Sequence, residues 1–357
     1  MVAYATREQV MSSLEIRNMA RARTLIDNKL EAGARSIESL CHRRFYPERK
    51  TVTFDWPNYQ MAFPWQLQLE NNSLISVNTL TAGGTVITGT DYFLRRWDNI
   101  DEPPYTLIEI NLSSSSSFRS GTTFQRAISI DGLWGDKDTD VSIPSGSLGA
   151  SINSSVTTII INPSGGNYPV GVGSIVLIGT ERMVLTTRLM SDTAQNLQNA
   201  LTATNNAKTV TVTDGTAFAI EETILIDSER MRIDDIAGNN LTVTRAVDGT
   251  ALAVHNASTA DIFALRTFTA RRAALGSTAA AHTIGDSVYA HRFEMLTPLI
   301  NELNIAEAIV MLEQASGGYA RTVGSGDNQH ESADTGLQNL REQVYRTYGR
   351  KLRARAV

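Results

Sequence analysis

"LIGTERM" at Leu177–Met183 and "LIDSERM" at Leu225–Met231 are one phrase written twice, forty-eight positions apart. A second pair, "TRAVDGTALAVH" (Thr244–His255) and "RRAALGSTAAAH" (Arg271–His282), is separated by only twenty-seven. This unequal spacing constrains the fold more than any other feature, because a repeat defines the unit that must pack. In the second copy the order is complete: "KTVTVTDGTAF", "TILIDSERMRIDDI", "NNLTVTRAVDGTALAVH" and "ADIFAL". That is about five strands over some sixty residues, enough for a small barrel or sandwich. The first copy has "TTIIINPSG" and "SIVLIGTERMVL", but its other half follows only after the second copy, as "FTARRAALGSTAAAHTIGDSVYAH" (Phe268–His291). The economical explanation is nesting. Module one is then Val156–Thr187 plus Phe268–His291, and module two (208–264) is set into one of its loops, where exposed tips with close ends tolerate insertion. Tandem modules, one with a degenerate half, are the alternative.

The two ends of the chain read differently from this middle. Thr6 with Gln9, and Ser12 with Glu15, fit capping boxes. Ile16, Met19, Ile26, Leu30, Ile37 and Leu40 then follow helical spacing, predicting one long amphipathic helix to about Arg43. Arg17, Arg21, Arg35 and Arg43 fall on or beside its polar side, either as a solvated face or as a face against a neighbouring subunit. After "RRFYP" (Arg43–Pro47) come short strand-like runs: "KTVTFDW", "WQLQLE", "LISVNTLT", "TVIT", "YFLRRW" and "TLIEINL". "AGG" (Ala82–Gly84) reads as a hairpin turn, and the serines Ser113–Ser117 as a flexible loop before "QRAISIDGLWG" (Gln125–Gly135). Near the end, Thr297 and Pro298 signal the start of a helix carrying Leu299, Leu303, Ala306 and Val310. A last helix is marked by Leu337, Leu340, Val344, Tyr348 and Leu352. The fold class expected is α+β. A helical core formed by both chain ends plus β-hairpins (1–147 and 293–357) is interrupted by a large all-β insertion (148–292).

This pattern carries no recognisable catalytic or metal-binding constellation. Cys41 is the single cysteine, so neither an internal disulfide nor a cysteine-based zinc site is expected, and the residue reads as a small buried apolar group. The N-terminus has no long apolar run of the kind a signal peptide needs, and no stretch approaches the roughly twenty apolar residues of a membrane span. A reducing cytoplasm, or something assembled in it, is the expected setting. Glu181 and Glu229 lie among alternating apolar residues and are expected to pair across a sheet. His255 and His282 occupy matching positions and read as structural, hydrogen-bonding histidines, since each module offers only one. "DKDTD" (Asp136–Asp140) opens like a calcium loop, but Val141 stands where the glycine belongs and Ser147 where the glutamate belongs. "GVGSIV" (Gly171–Val176) lacks the third glycine of a dinucleotide fingerprint and does not precede a helix. No catalytic constellation, metal set or cofactor site emerges, and the chain reads as a non-enzyme.

The terminal parts do resemble a known family. "RRFYP" after an N-terminal helix, then "VTFDWP" (Val52–Pro57), then "FQRAISIDGLWG" (Phe124–Gly135), look like the head-to-tail connector, or adaptor, proteins of long-tailed bacteriophages. The C-terminal "IAEAIVMLEQASGGYARTVGSG" with "LREQVYRTYGRKLRARAV" is similar to the end of actinobacteriophage members. The resemblance covers about residues 1–145 and 293–357, and the β-modules between depart from the minimal family pattern. It implies a ring in the virion neck, twelve copies strong, assembled in the host cytoplasm and clamped beneath the portal protein. Such a ring extends the DNA channel and offers a platform to a stopper or tail-completion protein. Duplex DNA would pass through it without tight binding, which suits a net charge of −5. The family docks its C-terminal arm into the portal. Here that role falls on the basic tail, Arg350, Lys351, Leu352, Arg353, Ala354, Arg355, Ala356 and Val357, while Arg17, Arg21, Arg35 and Arg43 are the candidate inter-subunit face.

A reading from a different class is a virion β-protein that recognises host surface carbohydrate. Four tryptophans and ten tyrosines would suffice for stacking on sugars, yet the β-modules contain no tryptophan.

Overall fold

A computed structural model of the chain describes residues 2–14, 20–70, 72–96, 98, 101–164, 170–258, 260–316, 322–323, 330–331 and 335–349. It divides into two compact units, Met1–Ser36 with Asp140–Arg341, and Ile37–Thr139 with Glu342–Val357. Helices and sheets coexist, so the class is α+β, with a six-stranded barrel in the first unit.

At the start of the chain α1 (Arg7–Leu14) and α2 (Ala20–Cys41) are helical. The Thr6 amide donates to Gln9 Oε1 at 2.8 Å and the Gln9 amide to Thr6 Oγ1 at 3.2 Å, so two free first-turn amides are satisfied reciprocally. The second expected box lies partly outside the described residues, at Glu15, and its Ser12 sits inside α1. Nor does a helix reach Arg43. His42 takes a left-handed φ of 52°, which ends α2 at Cys41.

The unit that begins at Ile37 holds seven strands: β1 (Glu48–Phe54), β2 (Gln66–Gln68), β3 (Leu74–Ala82), β4 (Thr85–Ile87), β5 (Tyr92–Arg95), β6 (Leu107–Ile110) and β7 (Ile128–Trp134). They form an antiparallel sheet in the order β1-β7-β3-β4 and a smaller one, β2-β6-β5. Alternate residues such as Leu67, Ile108, Ile128, Ile130 and Trp134 are buried in one shared core. Ala82 and Thr85 are register partners across the "AGG" turn, where Gly83 and Gly84 both have positive φ, as a two-residue hairpin requires. The serine run is tied down rather than loose, because Ser116 Oγ donates to Asp91 Oδ2 at 2.7 Å and Ser114 Oγ to the Asn111 carbonyl at 2.8 Å.

The other unit carries β8 (Gly146–Leu148), β9 (Thr158–Pro163), β10 (Ile175–Ile178), β11 (Glu181–Asn196), β12 (Thr209–Thr211), β13 (Thr223–Ile226), β14 (Glu229–Ala237), β15 (Asn240–Thr244), β16 (Asp261–Arg271) and β17 (Ser287–Ala290). Their order is β11-β10-β17-β8-β9-β16-β13-β14-β15-β12. A further β11–β16 ladder closes the first six into a barrel. Leu148, Ile161, Ile178, Met183, Phe268 and Val288 belong to its core, which draws on chain before residue 186 and after residue 267. A second core, including Leu197, Val210, Phe218, Ile224, Met231 and Val243, takes all its residues from between those two segments. Both cores reach beyond the boundaries expected from the repeats, to Leu148 and Ile152 in one and Leu197 and Leu201 in the other. Around the second core the Gln198 amide donates to the Thr211 carbonyl at 2.8 Å, which brings β12 back beside the residues following β11.

The two long strands are common to both cores. Val184–Leu189 of β11 faces Thr267–Arg271 of β16, and Met190–Asn196 faces Asp261–Leu265, with register shifts between Leu185 and Thr187, Leu189 and Met190, and Asp192 and Gln195. After β17, α3 (Phe293–Leu296) leads to α4 (Pro298–Ser316), and the chain ends with β18 (Thr322–Val323), β19 (His330–Glu331) and α5 (Thr335–Tyr348). The Thr297 carbonyl accepts the Ile300 and Asn301 amides at the start of α4, but the buried Thr297 hydroxyl has no hydrogen-bond partner among the described residues, so its side chain does not cap. Asn301 and Asn304 of α4 clamp Tyr4. Asn304 Oδ1 accepts from the Tyr4 amide at 2.9 Å, and Asn301 Nδ2 donates to the Tyr4 carbonyl at 2.8 Å. Gly33 of α2 lets α4 approach, since a Cβ there would stand 2.8 Å from Asn304 Nδ2.

Candidate functional site

The repeated phrases meet in two buried polar networks built to one plan. Glu229 stands at the first position of β14, immediately after the tight turn from β13. Arg245 follows the end of β15, and ten residues later His255 is held by a bridge to Leu201. Arg245 Nε and Nη2 bind the two oxygens of Glu229 at 2.7 and 2.6 Å, a parallel two-point contact. The remaining guanidinium hydrogens go to three carbonyls: Thr202 and Ala207 from Nη1, both at 3.0 Å, and Ala253 from Nη2 at 2.8 Å. All five donors of the side chain are therefore used. Glu229 also accepts from the Ala246 and Ala253 amides and lies 3.0 Å from His255 Nε2.

In the barrel every partner recurs. Arg272 Nε and Nη2 bind the oxygens of Glu181, both at 2.8 Å. Nη1 donates to the Asn153 and Val156 carbonyls and Nη2 to Ala280. The Ala273 and Ala280 amides donate to Glu181, and His282 Nε2 lies 2.9 Å from it. Both carboxylates are fully buried. They do not pair across a sheet as expected. The first residue of a strand after a tight turn points toward the returning Arg-to-His loop, and that loop supplies the cation. The two networks differ at the outer histidine nitrogen. His255 Nδ1 lies 2.7 Å from Asp227, whereas the equivalent turn position in the barrel is Gly179, and Asp286 stands 3.9 Å from His282 Nδ1 instead.

Electrostatics follow from this geometry. Burial pushes the Glu181 carboxyl upward, but the Arg272 guanidinium, the Ala273 and Ala280 amides and His282 outweigh it and hold the group at about 2. Glu229 is held at about 2 in the same way, with burial opposed by Arg245, His255 and the Ala253 amide. A carboxylate so enclosed is fixed in its ionised state with its lone pairs committed, and its work is to join the strand to two loops. Around the second core a further buried pair is present, in which Arg266 Nε and Nη2 bind Glu222 at 2.7 and 2.8 Å. Its counterpart in the barrel is Ser174, whose hydroxyl accepts the Gly171 amide at 3.0 Å, as Glu222 accepts that of Ala219 at 3.3 Å.

The residues singled out from the sequence are placed as follows. Arg17, the side chain of Arg21 and the whole tail Arg350–Val357 lie outside the described residues. Arg35 Nη2 donates to the Val2 carbonyl at 2.8 Å. Arg43 sits beyond α2, paired with Asp136 and stacked at 5.0 Å on the Phe45 ring, so it is not on a helical face. That pairing also occupies the first carboxylate of "DKDTD", and among the described residues no group of three or more His, Cys, Asp or Glu side chains is placed to hold a metal ion. Cys41 is fully buried, which pushes its thiol up to about 11. No described helix is long and apolar enough to cross a membrane. The sequence reading missed Arg245 and Arg272, although both stand ten positions before their histidines within the quoted repeats.

Against models of protein families, curated proteins and solved structures, the chain has no match.

Proposed function

We propose that this chain is a structural head-to-tail adaptor of a tailed bacteriophage. In this reading it forms a ring of about twelve copies, a closed head-to-tail cycle of two different surfaces. The ring sits under the portal, extends the DNA channel and carries the stopper or tail. The helical segments at both chain ends and the β-hairpins form the adaptor core, and the paired β-modules are a nested insertion into it.

One observation carries this reading. Three of the motifs behind the resemblance, two near residues 43–57 and one some seventy positions later, come together in one unit. Phe54 of "VTFDWP" is the register partner of Ile128, and the Trp56 amide donates to the Phe124 carbonyl at 2.8 Å. The Asp136 amide, just past "FQRAISIDGLWG", donates to the Phe45 carbonyl of "RRFYP" at 3.3 Å. A set of motifs that folds as one site is better explained by a shared family than by chance matches. The saturation of the Glu181 and Glu229 carboxylates favours a structural role for these networks over catalysis. Against the carbohydrate reading, Trp56 and Trp134 are buried and are not stacking platforms.

The deciding experiment is negative-stain imaging of the purified protein alone and mixed with its portal. A ring, or a collar on the portal, is expected. A monomer that ignores the portal and binds glycans would overturn the reading. Removing residues 351–357 tests the tail, since folding should be unchanged while attachment to portal-bearing heads is lost.

A further inference from the structure

Glu307 of α4 is a buried acid that the networks above do not use. It is 2% exposed, and its Oε2 has no hydrogen-bond partner among the described residues. Its Oε1 accepts from Ser36 Oγ of α2 at 3.2 Å and is ion-paired with Arg341 of α5, whose Nε lies 3.1 Å away. Arg341 Nη2 closes the triangle by donating to Ser36 Oγ at 2.8 Å. The arginine itself is 43% exposed, and no described side chain in the first two turns of α5 is fully buried. This end of the helix is thus held by a polar clasp with little apolar area beneath it, the property of segments that open locally.

We propose that the clasp of Glu307, Ser36 and Arg341 makes release of the first turns of α5 a proton-coupled step. While α5 is docked, Arg341 compensates the buried carboxylate. Once α5 lifts away, Glu307 remains under α2 and α4 with a hydroxyl as its only described partner, and an unpaired buried charge is removed most cheaply by taking up a proton. The proton adds to a Glu307 oxygen as the Arg341 contact breaks, and Arg341 keeps its charge in water. Among the described residues, the polar groups facing Glu307 are these. Arg341 comes from α5 and Ser36 from α2, while Asn304, one turn earlier on α4, is committed to the Leu30 carbonyl and the Tyr4 amide. Already in the docked state burial raises the Glu307 carboxyl above its ordinary range, against the opposing pull of Arg341 and Ser36. The sign follows: the released state binds the proton more tightly, so falling pH favours release.

Hydrogen exchange read by mass spectrometry on the full chain, corrected for intrinsic rates, tests this. Protection of the α5 amides around 337–343 should fall as pH drops, by up to about tenfold per pH unit for one coupled proton. In Glu307→Gln the slope should vanish, and in Arg341→Lys it should persist. A flat wild-type profile overturns the proposal, and so does a wild-type slope that survives in Glu307→Gln. If that variant fails to fold, Arg341→Gln replaces it. Its protection should be low and flat, and a wild-type profile there sinks the idea.

Discussion

Arg272 reaches back ninety-one positions to grip Glu181 with the same two nitrogens that Arg245 uses on Glu229 over sixteen. The geometry is conserved within the chain although the sequence distance is not, so the contact belongs to the module and the separation to whatever lies between. Each guanidinium also holds three carbonyls, which makes it the knot of its module. Removing one partner of a buried pair leaves an uncompensated charge, at a cost of roughly 3–5 kcal/mol. Arg272→Ala and Arg245→Ala should each lose stability on that scale in urea unfolding, and Arg→Lys should recover little, because an ammonium cannot make the two-point contact. A loss below about 1 kcal/mol would show that water or a rearranged loop replaces the arginine.

Acid should loosen both modules. Glu181 and Glu229 are held at about 2, against 4.5 for an unperturbed glutamate. A depressed folded value means that the unfolded chain binds the proton more readily. The stability these groups contribute is therefore complete above pH 4.5 and drains away as pH falls from there toward 2. The difference corresponds to about 3 kcal/mol per site. Urea midpoints measured between pH 6 and 2 should drop through that window, and the drop should flatten in Glu181→Gln and Glu229→Gln. Equal slopes in wild type and variants would assign acid sensitivity elsewhere.

The repeats made the modules legible, and alternation made most strands legible, because period and composition are local properties. The networks were harder to read. An arginine after a polar strand end looks solvated until the strand carrying its glutamate is known to lie beside it, and nothing local gives that pairing. The middle of β11 was hidden for a similar reason. "RLMSDTAQN" (Arg188–Asn196) has no clean alternation, and it is extended because β16 lies along it. Arg43 was misplaced because nothing in the sequence announces the left-handed turn at His42.

The motif "IDGLWG" contains two glycines with separate spatial reasons. A Cβ on Gly132 of β7 would stand 2.4 Å from the Ser76 carbonyl oxygen, and one on Gly135 would stand 2.5 Å from that of Tyr46. Gly132 lies opposite the irregular stretch of β3 where the register shifts on both sides of Ser76–Val77. Gly132→Ala must push that strand away and should cost about 1–3 kcal/mol, as overpacking does. A thermal melt of this variant beside Gly84→Ala separates crowding from backbone strain. Gly84 meets nothing within 4 Å but has a φ of 82°. An unchanged melting temperature for Gly132→Ala would mean that β3 is free to shift.

The second core should be removable. Leu189 of β11 and Thr267 of β16 are register partners on antiparallel strands, and Leu189 is 57% exposed. Deleting Met190–Arg266 and joining the ends with Asn-Gly therefore converts the ribbon into a two-residue hairpin. The buried ion pairs of the second core leave together in this cut. Glu222 leaves with Arg266, and Glu229 leaves with Arg245 and His255. Arg188 loses its bond to the Leu265 carbonyl but keeps Glu8 at 3.4 Å. The shortened chain should fold with its barrel closed by Val184–Leu189 against Thr267–Arg271. Its circular dichroism should show less strand and undiminished helix, and amides of Thr158–Asn162 should remain protected from exchange. If those amides lose protection, the two cores depend on one another and fold as a single unit.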